Sequence, residues 1–147
     1  CFTPVESDER FVRAVEAPQR VGQGTFRLRL LHAYERRCAI TGEHTVPVLD
    51  AAHIQPYRSP RSNHPQNGLV LTKEFHTLFD RGYVTVEPRG DEYVVRVSPR
   101  LRADWNNGRR YYAFADKPLV VVPASAAARP SAEALLWHRQ RCFLETG

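Results

Sequence analysis

From residue 25 to residue 37 the apolar positions Phe26, Leu30, Ala33 and Tyr34 recur at helical spacing, while Arg27, Arg29, Arg36 and Arg37 lie mostly on other faces. That period predicts a helix from Thr25 to about Arg37, capped by Thr25, with the apolar stripe packed into a core. Beyond it the period shortens. Cys38 to Gly42 reads as a short strand running into a turn, and Val46 to His53 as the returning strand of a hairpin. The stretch from Gln55 to Gln66 carries Pro56, Ser59, Pro60, Ser62, Asn63 and Pro65 and predicts a loop, which Asn67-Gly68 closes. After the apolar run Leu69-Val70-Leu71, Thr72 is placed to cap a short helix over Lys73 to Phe79, ended by Asp80-Arg81-Gly82.

Farther on, Tyr83 to Glu87 and Tyr93 to Ser98 alternate in polarity around the turn Pro88-Arg89-Gly90-Asp91, which predicts a second antiparallel β segment. Another turn, Asn106-Asn107-Gly108, precedes Tyr111, Tyr112 and Phe114. Ser131 can cap a final helix with the apolar stripe Ala132, Leu135, Leu136, Cys142 and Phe143. Residues 1–24, with Pro4, Pro18, Gly22 and Gly24, read as a lead-in or linker, and residues 25–147 as one domain of α+β class. There is no internal repeat.

Composition narrows the classes of function. At 147 residues, 42% hydrophobic and 25% charged, the chain has the make-up of a globular domain able to bury a core. No apolar run approaches the roughly 20 residues that span a bilayer, so no membrane role is expected. The formal net charge of +5 favours polyanionic partners. The cations are nearly all arginine, with Lys73 and Lys117 the only lysines, and arginine suits bidentate phosphate contacts. Three cysteines, Cys1, Cys38 and Cys142, are too few for a disulfide scaffold or a four-cysteine zinc site, so no structural zinc is expected and a reducing, cytoplasmic setting is the default.

The chemistry concentrates in three runs: Asp50-Ala51-Ala52-His53-Ile54-Gln55-Pro56-Tyr57, then Asn67-Gly68-Leu69, then His76-Thr77-Leu78-Phe79-Asp80. They place a histidine on a strand, an asparagine in a loop and a histidine on a helix. A lone strand histidine is usually a packed bystander, but this one has company in order. Hydrolysing a phosphodiester needs an activated water, neutralisation of developing charge and help for the leaving oxygen. Histidine titrates near neutrality and makes a good general base, and a divalent ion steadies both the phosphorus-centred charge and the leaving oxygen.

These runs resemble the HNH endonucleases, whose nuclease centre is a β-hairpin plus one helix around a metal ion, the ββα-metal fold. The likeness extends from Gly24 to about Val86, with a core at about 38–82, and is closest to the subgroup found in restriction-type nucleases. It implies a hydrolase that cuts double-stranded DNA with Mg²⁺ or Mn²⁺, leaving 5′ phosphate and 3′ hydroxyl ends. It further implies an upstream DNA-recognition domain in the full-length protein, and a homodimer is compatible with cutting both strands. By the same resemblance His53 is the base that polarises the attacking water and His76 is a metal ligand. Asn67 fixes the loop and, through it, the orientation of His53.

Two departures from the family pattern qualify this expectation. Many members carry a metal-binding Asp or His immediately before the first histidine, where this chain has Ala52. Asp50 lies two residues earlier on the same strand face, and Asp80 four residues after His76 on the same helical face; Asp50 is the favoured metal ligand of the two. The Cys-x-x-Cys pairs that staple some relatives are absent, since Cys38 meets Thr41 at that spacing, and Cys38 is read as a buried apolar residue. Arg58 and Arg61, in the loop between base and asparagine, are candidates for phosphate contacts. His32, His44, His64 and His138 are read as bystanders, and Trp105, Tyr111, Tyr112 and Trp137 as packing residues. Ala52 leaves open an alternative, a catalytically inactive HNH-fold DNA-binding module. A protein-only interaction domain is the third reading, and it predicts no salt-dependent affinity for DNA. The nuclease reading makes one spatial demand: the rings of His53 and His76 must meet in a shared pocket.

Overall fold

The computed structural model describes residues 22–145, so the expected lead-in falls, up to residue 21, outside the described residues. Helix α1 spans Gln23–Ala33, beginning two residues before the expected Thr25 cap, with Gly22 at φ 80 in the capping position. Phe26, Leu30 and Tyr34 are buried as their spacing predicts. The helix stops short of Arg37 because Glu35 and Arg36 both adopt left-handed backbone, at φ 56. This reversal lets Arg36 N–H close on Leu31 O at 2.7 Å and turns the chain toward the sheet.

Cys38 to Gly42 is a turn, not the first strand of a hairpin. Its two ends bond locally, Gly42 N–H on Cys38 O and Cys38 N–H on Glu43 O, while Ala39 alone reaches other segments, its N–H to Val70 O and its O to Val120 N–H and Val121 N–H. Cys38, Ala39 and Ile40 are nevertheless buried as apolar plugs. A single 3-10 turn over Val46–Val48 follows, and Pro47 within it has no N–H to extend a ladder. The strand proper, β1, is Leu49–His53, and it pairs antiparallel with β2, Gly68–Thr72. The hairpin of the sequence reading therefore exists with a different partner, and the loop from Ile54 to Asn67 hangs from its open end.

Helix α2, Lys73–Asp80, leaves β2 without an intervening loop; Thr72 Oγ1 accepts from Phe75 N–H at 3.5 Å, the expected cap. Phe75 and Phe79 anchor it in the core. Strands β3, Val84–Arg89, and β4, Glu92–Val97, form the second antiparallel pair as expected, in register from Val84 opposite Val97 to Arg89 opposite Glu92. Two short helices not expected from sequence flank the Asn106–Gly108 turn: α3, Arg100–Trp105, and α4, Arg109–Tyr112. An Arg100–Asp104 ion pair one helical turn apart supports α3.

Helix α5, Ala132–Arg141, is capped by Ser131 as expected, through Ala134 N–H at 3.3 Å, and packs against β3. The face it buries is the expected one in part: Leu135 and Phe143 are buried and Cys142 half-buried, as their spacing predicts. Ala134 and His138 also turn inward, while Ala132 and Leu136 face solvent. A histidine takes an inward position because it finds two hydrogen-bond partners there, as described below. The fold is thus α+β, a ββα unit flanked by helices and a second small antiparallel sheet. Among the described residues no helix is long and apolar enough to cross a membrane.

Candidate active site

His53 ends β1, opposite Gly68. Gly68 is needed at that point: a Cβ there would lie 2.4 Å from Leu30 Cδ1 and 2.7 Å from Phe26 Cζ, so its absence brings α1 against the strand pair. That approach sets Phe26 flat against the His53 ring, centroids 4.2 Å apart and planes 7° from parallel. The Nε2 edge of the ring lies 2.9 Å from Asn63 Oδ1, and Tyr57 meets the ring edge-on at 6.1 Å. Stacking and a directional hydrogen bond together fix both the plane and the rotation of the imidazole.

Asn67 works on the backbone beside the histidine. Its Oδ1 accepts from Gln55 N–H at 2.9 Å, its Nδ2 donates to Gln55 O at 3.1 Å and to Ser62 O at 2.9 Å, and its main-chain oxygen accepts from Ile54 N–H at 2.9 Å. One side chain thereby ties both limbs of the loop to the residues that follow His53. The direct partner of the His53 ring is Asn63, which neither spacing nor resemblance singles out.

His76, on α2, is held between two carboxylates. Nδ1 is 2.9 Å from Asp50 Oδ2, and Nε2 is 3.1 Å from Asp80 Oδ2. Lys73 Nζ binds the other oxygen of Asp50 at 2.8 Å. The hydrogen bond to Asp80 raises the His76 pKa most, burial works against it, and Asp50 adds to the rise, so the ring is pushed up to about 9. Burial also works against the charge on Asp50, but hydrogen bonds from Lys73 and His76 outweigh it and hold the carboxyl below its ordinary value. The arrangement is one that collects positive charge.

His53 and His76 line a single cleft of about 420 Å³, together with Tyr57, Asp80, Trp137 and Cys142. Asp80 lines this cleft, whereas Asp50 does not and bonds His76 on the Nδ1 edge. Because the two carboxylates occupy opposite edges of one ring, no three His, Cys, Asp or Glu side chains among the described residues converge on a point as they stand. With its pKa near 9 the His76 ring carries a proton on Nε2, shared with Asp80; a divalent ion that displaces this proton would find an imidazole nitrogen and a carboxylate oxygen side by side. Such an ion commonly takes only one or two protein carboxylates and completes its shell with water and substrate phosphate oxygens. Ala52, where many relatives carry a ligand, is fully buried in the core opposite Leu69.

The remaining candidates are distributed as follows. Arg58 and Arg61 are exposed on the loop between β1 and β2, where Ser59 and Ser62 fix the backbone in a capping box. His64 is exposed and uses Nδ1 to accept from Gln66 N–H at 3.1 Å. His138 lies inside the protein, donating from Nε2 to Phe79 O at 2.8 Å, bonded through Nδ1 to Thr85 Oγ1 at 2.7 Å and stacked on Phe79. Burial lowers its pKa, opposed by the Phe79 carbonyl and Asp80. It is a satisfied core histidine. Tyr111 and Tyr112 are tied down by hydrogen bonds to Glu74 and Ser98 O. Trp105 departs from the packing expectation: it is 58% exposed, held by a bond from its Nε1 to Tyr83 Oη and by Arg81 over its ring.

With this geometry in view, the comparison with protein families is informative. The profile of the HNH endonuclease family fits residues 38–87, about a third of the chain. The matched segment runs from the turn after α1 through β1, β2 and α2 into β3, and contains His53, Asn67 and His76. The match supports the HNH family and, with it, nuclease chemistry on nucleic acid. A search of curated proteins finds no match.

Proposed function

We propose that this chain cuts double-stranded DNA by metal-assisted hydrolysis, with His53 as general base and with His76 Nε2 and Asp80 as the protein ligands of a divalent ion, Mg²⁺ or Mn²⁺. The observation that carries this reading is the shared cleft, into which a base candidate from the strand and an imidazole–carboxylate pair from the helix both open. A divalent ion held there supplies charge neutralisation at the scissile phosphate and stabilisation of the leaving 3′ oxygen.

The residues of the chain do the rest. His53, stacked on Phe26, takes the proton of the attacking water. Asn67 holds the backbone after His53, so the ring keeps its angle of approach when the loop meets substrate. Asp50, itself held by Lys73, grips His76 through Nδ1 and aims Nε2 at the cleft, a carboxylate–histidine arrangement that also raises the ligand's basicity. Asp50, favoured from sequence as a ligand, thus acts as a positioning residue in this proposal, and Asp80 takes the coordinating role. Arg58 and Arg61, exposed on the loop, supply phosphate contacts along the DNA backbone. In the wider reading, residues 25–147 form the cleavage domain of a cytoplasmic restriction or other defence enzyme. Sequence choice then lies in an upstream DNA-recognition domain, and two copies of the chain act together to cut both strands.

Relaxation of supercoiled plasmid in Mn²⁺ tests the proposal. His53→Ala should lower the rate by about 10²-fold or more with the fold retained and DNA affinity unchanged, and EDTA should abolish cutting until metal is restored. Wild-type cutting by His53→Ala would remove the base assignment. The buried Ala52 favours a second reading, a binding module without catalysis. Salt-dependent DNA binding by a wild-type chain that never relaxes plasmid, whatever the metal, would select it.

A further inference from the structure

The loop between β1 and β2 sets one side chain directly on the His53 ring. Asn63 ends the 3-10 turn Pro60–Asn63 and is buried, with only 9% of its surface exposed. Its Oδ1 lies 2.9 Å from His53 Nε2. Its Nδ2 is turned the other way, toward Gly22, where an added Cβ would come within 2.9 Å of it. A carbonyl oxygen only accepts, so Nε2 must be the ring nitrogen that carries the proton. A neutral imidazole has one such proton, which leaves the lone pair on Nδ1. Phe26, stacked on the ring, prevents the tilt that would break the bond.

We propose that Asn63 is a positioning residue whose side-chain carbonyl locks His53 in the Nε2–H tautomer, making Nδ1 the atom that takes the proton from the attacking water. The proposal rests on His53 being the base. In the step, an O–H bond of water breaks, its proton goes to Nδ1 and its electron pair forms the new P–O bond. The 3′ oxygen departs with the electrons of the old P–O bond and is protonated from solvent. The imidazolium so formed keeps its Nε2–H on Asn63 Oδ1, so the hydrogen bond strengthens as charge appears on the ring.

The other titratable groups near this ring are Tyr57 at its edge, His76, Asp80, His138 and Cys142 lining the same cleft, and Arg29, Arg61 and His64 in the hollow on the far side of Asn63. They are the same in every Asn63 variant, so differences among variants belong to position 63. Two readouts test it. In the metal-free full chain, NMR of the His53 ring nitrogens, identified by their loss in His53→Gln, should show the proton on Nε2, and Asn63→Ala should give a mixture of tautomers. A proton on Nδ1 in the wild type, or an unchanged ring in Asn63→Ala, overturns the proposal. In cleavage, Asn63→Ala should lose about 10²-fold in kcat with KM unchanged. Asn63→Asp keeps the shape and puts a carboxylate on Nε2–H. It should recover most of that loss at high pH and move the acid limb of the pH–rate profile up by about one unit or more. A limb that stays in place while activity tracks stability reduces Asn63 to a structural residue and overturns the proposal. If the wild-type chain does not cut at all, the nuclease reading fails, and the ring nitrogens still decide what Asn63 does.

Discussion

His76 binds two chemically identical partners whose surroundings differ. Asp50 and Asp80 each bind one ring nitrogen, but Asp50 is also neutralised by Lys73 and lies away from the cleft, whereas Asp80 opens into it. Titrating Mn²⁺ into the protein by calorimetry should therefore separate them. Asp80→Asn is expected to lose measurable binding, and Asp50→Asn, which removes only the orienting bond, to weaken it about tenfold. The reverse order would return the ligand role to Asp50. At this scale order and spacing along the chain single out His53, Asn67 and His76, and the fold brings the two histidines to one cleft with Asn67 in the adjoining loop. The sequence was silent on Asn63, whose partner is ten residues away across an aperiodic loop, and on which carboxylate faces the cleft, because strand and helix periodicity permit both.

Among the elements, the contact between α1 and the β1–β2 pair decides how rigid the site is. Gly68→Ala would drive a methyl group into Leu30 and Phe26. Overpacking of this kind typically costs about 1–3 kcal/mol, and because Phe26 supports His53 the variant should also cut more slowly than its loss of stability explains. Urea unfolding alongside cleavage rates under fully folded conditions checks both; an unchanged rate per folded molecule would show that the stack does not orient the base. The helices with clear apolar period and a capping residue, α2 and α5, were legible in position, as was the β3–β4 hairpin around its turn. The first hairpin was assigned the wrong partner, since a short apolar run such as Cys38–Gly42 carries no information about what it pairs with. The six-residue α3 was missed because so short a segment shows less than two turns of period.

At the scale of the molecule, His138 joins three elements: it sits on α5, donates to the end of α2 through Phe79 O, and bonds β3 through Thr85. Its folded pKa lies below the ordinary 6.5 because burial disfavours the charged ring. Below that value the unfolded chain binds the proton and the folded one resists it, so this contribution to stability is present above pH 6.5 and is lost as pH falls through the folded value. Denaturation between about pH 7.5 and about pH 5 should show wild-type stability falling more steeply than that of His138→Gln; parallel curves would mean that His138 carries no acid-labile stability.

The order of the signature residues, the α+β class, the capped α2 helix and the excess of arginine all follow from the chain as a line of residues. Local periodicity, capping chemistry and net charge need no knowledge of the third dimension. Partnership needed the folded chain: β2 rather than Cys38–Gly42 beside β1, Asn63 on the ring of His53, Asp80 rather than Asp50 toward the cleft, and His138 inward where Leu136 was expected. Each depends on which surfaces meet after collapse, and that is settled by volume and hydrogen-bond satisfaction between residues far apart in sequence.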